Sequence, residues 1–473
     1  MYLSRKAIPK FIGTLLLFAI LLTGVFLTVL VVPTHAQPPA VIFVSSSGSD
    51  TIGNGSPGKP YATISHGVSV APVGAEIIVS PGMYREMVNI TKSVSLVSVS
   101  GRPSNTIINA TGLLHGIEVI GAAASGTSIE GLTVENANEE GIYVQDASNV
   151  DITNNAALNN VQNATIVCPI SGTPPGPCIN EDKGIELVGT ASSTVAGNTV
   201  VGTVGDGGIG LSDDGKLNPG IPQPGPAGVA NPSIDNVVAH NTVVANVGGC
   251  GIVVSAYDPG EGVIGNVVNS NDVVGNAEGV VVATVIPGTS AINNTVIGNS
   301  ILNSFTEGVD IDSSGGASAP GNVVSGNSVI GNVISGNGPD YDFNNPKPTG
   351  IAVISPTSLM QQGTVVSGNY ILNEYYGLAV ANATGTMILS NNIASTVKVP
   401  ILGAVASQEP ISSLQNSLNQ LQSSAAKQSD LNSVSSQAQT ATDMGYVAIV
   451  IAVVLGGVAI GLARRRTAPT SGK

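Results

Sequence analysis

The sequence has no tryptophan, only 3% aromatic residues and only 10% charged residues across 473 positions. An interior built around large rings is therefore excluded. Cysteine occurs three times and histidine four times, too few for thiolate clusters or a histidine-rich metal centre. Basic residues are scarce where they would matter most. Arg5, Lys6 and Lys10 open the chain, and Arg464, Arg465, Arg466 and Lys473 close it. Between Gln37 and Asp443, nine basic residues face all 30 acidic ones, a net charge of −21. Such a stretch repels nucleic acid and anionic lipid, and it would repel a polyuronate unless cations intervened.

What is present is small or β-branched. Glycine numbers 59, valine, isoleucine and asparagine recur throughout, and 42% of residues are hydrophobic. That content is enough to offset chain entropy, and its β-branched character suits stacked strands.

The long apolar runs lie at the two ends. Residues 11–32 follow the basic start and lead to Thr34-His-Ala36, so residues 1–36 read as a secretory signal peptide, with an uncleaved anchor as the alternative. Residues 445–463 read as a transmembrane helix, since about 18 apolar residues span roughly 27 Å. The arginines behind it place residues 464–473 in the cytoplasm and the rest of the chain outside the cell membrane. In that oxidising setting Cys168 and Cys178, which bracket a Pro/Gly-rich loop, are expected to form a disulfide, with Cys250 a small buried side chain.

Two phrases alternate along the middle of the chain. One is apolar-x-x-Asn, ending at Asn155, Asn198, Asn241, Asn271, Asn299, Asn327, Asn369 and Asn391. The other is Gly-Ile-x-Val or a variant, starting at Gly116, Gly141, Gly184, Gly208, Gly251, Gly279, Gly308, Gly350 and Gly377. A recurrence at this length means a solenoid. Within each phrase apolar residues alternate with others, as on a strand. The fold class expected is all-β: a parallel β-helix with three strands per rung over residues 37–400. Its asparagines would form an internal ladder, with Leu132 in the Asn position one rung earlier, and would suit the bend because Asn tolerates left-handed backbone angles. Insertions are expected within 156–183, 212–232 and 331–349, walling a groove outside the sheet of Gly phrases.

The start of this region carries a resemblance. Phe43-Val-Ser-Ser-Ser-Gly-Ser-Asp50, Gly58-Lys-Pro-Tyr-Ala-Thr-Ile64 and Ile78-Val-Ser-Pro-Gly-Met-Tyr-Arg-Glu86 resemble the opening of the pectate-lyase-like right-handed parallel β-helix superfamily. The later repeats look like NosD-type and carbohydrate-binding or sugar-hydrolase repeats. The resemblance implies a short helix over about residues 62–71 capping the coil, and a structural role for Tyr84, Arg85 and Glu86. Activity does not follow from it, because this fold carries many chemistries.

The superfamily's catalytic patterns are not matched. Arg85 and Arg102 are the sole arginines between Gln37 and Asp443, which departs from the calcium-and-arginine pattern of pectate lyases. No Gly-His-Gly or Arg-x-Lys accompanies Asp213-Asp214, so the polygalacturonase pattern is incomplete. His66, His115 and His240 are the histidines left after the signal segment. There is instead a line of acids: Glu139, Glu140, Asp182, Asp206, Glu278 and Glu307 before the Gly phrases, with Glu118, Glu186, Asp310 and Asp312 on or just after them. The simplest reading is a row of solvated charges that keeps the sheet from pairing with a neighbour.

The functional readings build on that line. Glu186, Asp206 and Asp213 are the candidate calcium ligands, as an oxygen-only set suits that cofactor. Glu118, Tyr143 and Tyr257 are candidate ligand-binding residues. Glu186, Asp206, Asp213, Asp214 and Asp310 are the candidate catalytic acids. The first expectation is a cell-surface protein that binds or scaffolds envelope carbohydrate or surface proteins, more binder than enzyme. The alternative is a carbohydrate-active enzyme, a hydrolase or lyase on groove carboxylates. A NosD-like role in metal handling is the weaker alternative. Residues 401–444 read as a polar helical stalk with some capacity for self-association. Sequons at Asn54, Asn89, Asn109, Asn163, Asn293 and Asn382 suggest a glycoprotein, with some of them facing inward.

Overall fold

A computed structural model describes residues 39–162, 182–213, 231–313, 321–340, 345–355 and 361–403. The expected signal peptide, the Cys168–Cys178 disulfide, Asp214, the stalk and the transmembrane segment lie outside these residues. Among the described residues no helix is long and apolar enough to cross a membrane.

Short strands stack in parallel, each rung in register with the next. Sheet 1 runs through twelve strands from Val41–Val44 to Met387–Ile388, and sheet 2 through eleven from Gly82–Tyr84 to Asn392–Ile393. Sheet 3 holds the Gly phrases, from Val88–Ile90 to Val399–Leu402. A fourth sheet of six strands, Ser233–Ile234 to Ala383–Thr384, lies between sheet 3 and sheet 1 in chain order. The expectation of three strands per rung therefore holds for the early rungs and is corrected to four for the later ones. The fourth strands escape detection because they are only two or three residues long.

The core is one continuous column of Val, Ile and Leu from Ile42 to Val397. Sheet 3 contributes Ile117, Ile142, Ile185, Ile209, Ile252, Val280, Val309 and Ile351, one per rung. A helix at Ile64–Val70 buries Ile64, Gly67 and Val68 in this core. Glu86 fixes its start, accepting hydrogen bonds from the Ile64 and Ser65 backbone N–H groups at 2.9 and 2.8 Å. The Tyr84 hydroxyl donates to the Ser80 carbonyl at 2.8 Å. Both side chains are structural, as the opening phrase implies.

The corners explain the two repeated phrases. At the turn from sheet 1 to sheet 2, Asn155, Asn198, Asn241, Asn271, Asn299, Asn332, Asn369 and Asn391 form a ladder, each Nδ2 donating to the next Oδ1 at 2.9–3.2 Å. Asn155 Oδ1 accepts from the Leu132 backbone N–H, so Leu132 does occupy the rung before. Asn327, assigned to this ladder from sequence, belongs instead to a second one, Asn236-Asn266-Asn294-Asn327, at the turn into sheet 1. The left-handed backbone expected at these asparagines sits one residue earlier. Asn154, His240 and Ser270 have φ of 54°, 57° and 53°, and glycine fills the same place at 197, 298, 331 and 368. The ladder Asn is thus selected by its amide, and its neighbour by its tolerance of positive φ.

The Gly of each Gly phrase answers to space. A Cβ on Gly308 would lie 2.6 Å from the Gly350 carbonyl oxygen and 2.7 Å from Ile334 Cγ2. The third insertion is shorter than expected, because Val333–Ser335 is a regular sheet 2 strand and Pro339–Asp340 pairs antiparallel with Asn345–Ile354. Among the described sequons, Asn54, Asn89, Asn293 and Asn382 are exposed and Asn109 is half-buried, so none faces inward as expected.

Candidate functional site

Strand alternation sends every second residue of sheet 3 away from the core. On a sheet facing water these positions would be solvated. Here they are buried. Glu118, Glu140, Asp182, Lys183, Glu186, Glu307, Asp310 and Asp312 are all buried, and Lys183 is 1% exposed. The row of solvated charges expected from sequence is thus corrected to a buried ionisable strip. Glu139, Asp206 and Glu278 keep partial exposure along one margin.

Register decides which acids meet. Glu118, Tyr143, Glu186 and Gly210 are successive partners across four rungs. Asp310 lies in the same row, but Gly210, Val253 and Val281 separate it from Glu186. At about 4.8 Å per rung that is roughly 19 Å, so Asp310 belongs to a different cluster.

The first cluster centres on Lys183. Its ammonium lies 2.9 Å from Glu186 Oε1 and 3.6 Å from Asp206 Oδ2, and 6.0 Å from the centroid of the Tyr257 ring. Burial alone would depress the Lys183 pKa, but Glu186, Tyr257 and Asp206 outweigh it and hold the ammonium charged. Burial also raises Asp206, against the pull of Lys183. Ser212 Oγ donates to Glu186 Oε1 at 3.2 Å. Gly210 makes the room: a methyl group there would collide with Lys183 Cδ and Cε.

Next to it stand His115, Glu139 and Glu140. His115 Nδ1 is 2.8 Å from Glu140 Oε2, and His115 Nε2 is 4.0 Å from Glu139 Oε2. The Tyr143 ring stacks on the imidazole, with centroids 5.0 Å apart and planes 9° from parallel. Burial pushes His115 down to about 4. Burial and the charge of Asp182 push Glu139 up to about 7, and Glu140 rises well above the ordinary range for the same reasons, with Glu186 adding to it.

The second cluster gathers around Asp310, which burial and the charges of Asp312 and Glu307 hold well above the usual carboxylate range. Cys250 is a buried free thiol, as expected, and donates to Glu278 Oε2 at 3.2 Å.

Asp213 stands apart from the calcium set proposed for it. Its Oδ1 and Oδ2 accept from the backbone N–H groups of Tyr257 and Asp258 at 2.6 and 3.2 Å, and burial raises its pKa to about 7. Of that set, Glu186 and Asp206 do come together, but the Lys183 ammonium sits beside both. Sequence reading missed Lys183 and gave His115 no role. Both fall in the column immediately before the Gly phrase, the column that also holds Glu140, Glu278 and Glu307.

Residues 74–295 match the family described as the right handed beta helix region. No curated protein matches the sequence significantly. Among solved structures, the chain is similar to an alginate lyase from a Paenibacillus species, with 12% identity, a TM-score of 0.44, and 77% of this chain and 98% of that one covered. It is similar to a pectate lyase, with 14% identity, a TM-score of 0.47, and 78% and 82% covered. A polygalacturonase from Erwinia carotovora gives 12% identity, a TM-score of 0.45, and 78% and 98% covered.

Proposed function

Since the chain is a member of the right-handed parallel β-helix superfamily, we propose that it binds carbohydrate along the outer face of sheet 3, at the margin where Lys183, Glu186, Asp206 and Tyr257 meet. One observation supports this reading above the others. Ionisable side chains are expensive to bury, and here they are gathered on one face of a fold whose other walls alternate normally. A glycan lying along the coil axis would meet successive rungs about 4.8 Å apart, close to the length of one pyranose ring. Asp206, the partly exposed carboxylate of the group, can accept from sugar hydroxyls, while buried Lys183, Glu186 and Tyr257 hold it in place.

The segment's charge of −21 selects neutral or amino sugars over polyuronates. With the apolar segment 445–463 as an anchor, the ligand would be a glycan of the cell envelope. Calcium at Glu186 and Asp206 is disfavoured, because the Lys183 ammonium already stands beside both and would repel a second cation.

The test is calorimetric titration of the full chain with neutral and amino-sugar polysaccharides, alongside Glu186→Gln and Asp206→Asn. Binding should weaken about tenfold or more in each variant, as loss of a charged hydrogen bond costs about 1.5–3 kcal/mol. Wild-type affinity in both variants, or no binding to any such glycan, would reject the reading.

A second reading, paired-acid hydrolysis, is favoured by Glu140 and Glu186 in adjacent rungs, where the charge of Glu186 adds to burial in keeping Glu140 protonated. Release of reducing ends that disappears in Glu186→Gln would replace binding by catalysis.

A further inference from the structure

The histidine of the strip stands in an arrangement that hydrogen bonding does not account for. His115 and Glu140 occupy the same column of sheet 3 in adjacent rungs, and Glu139 precedes Glu140, so three potential donors converge from two rungs. One ligand atom from each of His115, Glu139 and Glu140 lies within 4.8 Å of the other two.

A structural His–Glu pair would be joined by an N–H···O bond. His115 Nδ1 and Glu140 Oε2 approach to 2.8 Å, yet among the described residues neither atom makes a hydrogen bond, and Glu139 Oε2 also lacks one. The side chains of His115 and Glu140 are only 7% and 5% exposed, so water does not readily make up the loss. Ligand atoms buried this close together repel one another unless something positive lies among them.

We propose that His115, Glu139 and Glu140 bind a divalent transition metal ion of the zinc class. The donor set decides the class. One imidazole nitrogen with two carboxylate oxygens suits zinc, whereas calcium takes six to eight oxygens and disfavours imidazole. Three protein ligands leave a fourth position for water or a ligand atom, as in zinc sites that do chemistry. Tyr143 fixes the plane of the imidazole by stacking on it. Asp182, whose charge reaches both Glu139 and Glu140, adds negative potential from the following rung. The site stands independently of glycan binding at Lys183, and Glu186 and Asp206 are not among its ligands.

Equilibrium dialysis of the chelator-stripped full chain against Zn²⁺ tests this, with a Co²⁺-loaded sample read by its visible absorption. One Zn²⁺ per chain is expected, with affinity falling at least about tenfold in His115→Gln, Glu139→Gln and Glu140→Gln. The Co²⁺ spectrum should change in His115→Gln, because the nitrogen donor is lost. Far-ultraviolet circular dichroism checks that each variant folds, and Glu139→Gln, at the partly exposed margin, is the substitution least disruptive to the strip. Absence of stoichiometric binding would overturn the proposal. So would binding that survives all three substitutions, which would place the metal elsewhere, for instance on Cys168 and Cys178. Displacement of Zn²⁺ by an equal concentration of Ca²⁺ would overturn the metal class.

Discussion

A buried side-chain amide with all its bonds made is worth far more to this fold than its polarity suggests. Asn271 Oδ1 accepts from the Asn241 backbone N–H at 2.9 Å and from Asn241 Nδ2 at 2.9 Å. Its own Nδ2 donates to the Val238 carbonyl and to Asn299 Oδ1, both at 2.9 Å. Asn271→Ala removes the amide and strands those partners away from water. We expect a loss of about 2–5 kcal/mol in urea unfolding, since each orphaned buried group costs about 1–3 kcal/mol. A loss under about 1 kcal/mol would show that the ladder is incidental. Gly210 works at the same scale through space alone. Gly210→Ala should push the Lys183 side chain off its place and weaken glycan binding about as much as Asp206→Asn does, while leaving zinc binding at His115 intact.

Among the elements, the sheet 3 strands are set by the glycines before them, and the turns by the residues that enter the corners. Gly308→Ala forces a methyl group against the Gly350 carbonyl, which is rigid backbone, so overpacking of about 1–3 kcal/mol is expected. Gly275 has φ of 63° and nothing within 4 Å of its would-be Cβ. Asn159, Asn303 and Asn373 hold the same corner at φ of 52°, 57° and 58°, so Gly275→Asn should be nearly neutral. Thermal melts of the two variants would separate steric from conformational demand.

The Gly phrases were legible in the sequence because this steric demand recurs at every rung. Ladder membership was only partly legible, because Asn322, Asn327, Asn332 and Asn337 follow one another at five-residue steps and each serves a different place. Sequence spacing does not say which corner an asparagine turns. Burial of the outer face was not legible either. Alternation assigns those positions away from the core, and nothing local to Glu186 or Asp310 reports what covers them.

Across the whole molecule, many carboxyls are driven in one direction. Burial raises Asp213 and Glu374 to about 7 and also raises Glu118, Asp206 and Asp310. A carboxyl raised in the folded state holds its proton more tightly there than in the unfolded chain. Its contribution to stability is complete below the ordinary carboxylate range and is lost as pH rises through the folded value. The melting temperature should therefore fall between about pH 5 and about pH 8, opposite to a protein stabilised by ionised surface acids. A melting temperature that climbs over that interval would count against the buried strip.

Carboxyl-carbon NMR titration of the chelator-stripped protein, with labelled Asp and Glu and assignment by single substitutions, reads the same claim group by group. The outer face of sheet 3 predicts Glu118, Asp206 and Asp310 titrating above their ordinary values. If all three instead titrated at ordinary carboxylate values, near about 4, the face would be a solvated wall and no site would remain on it.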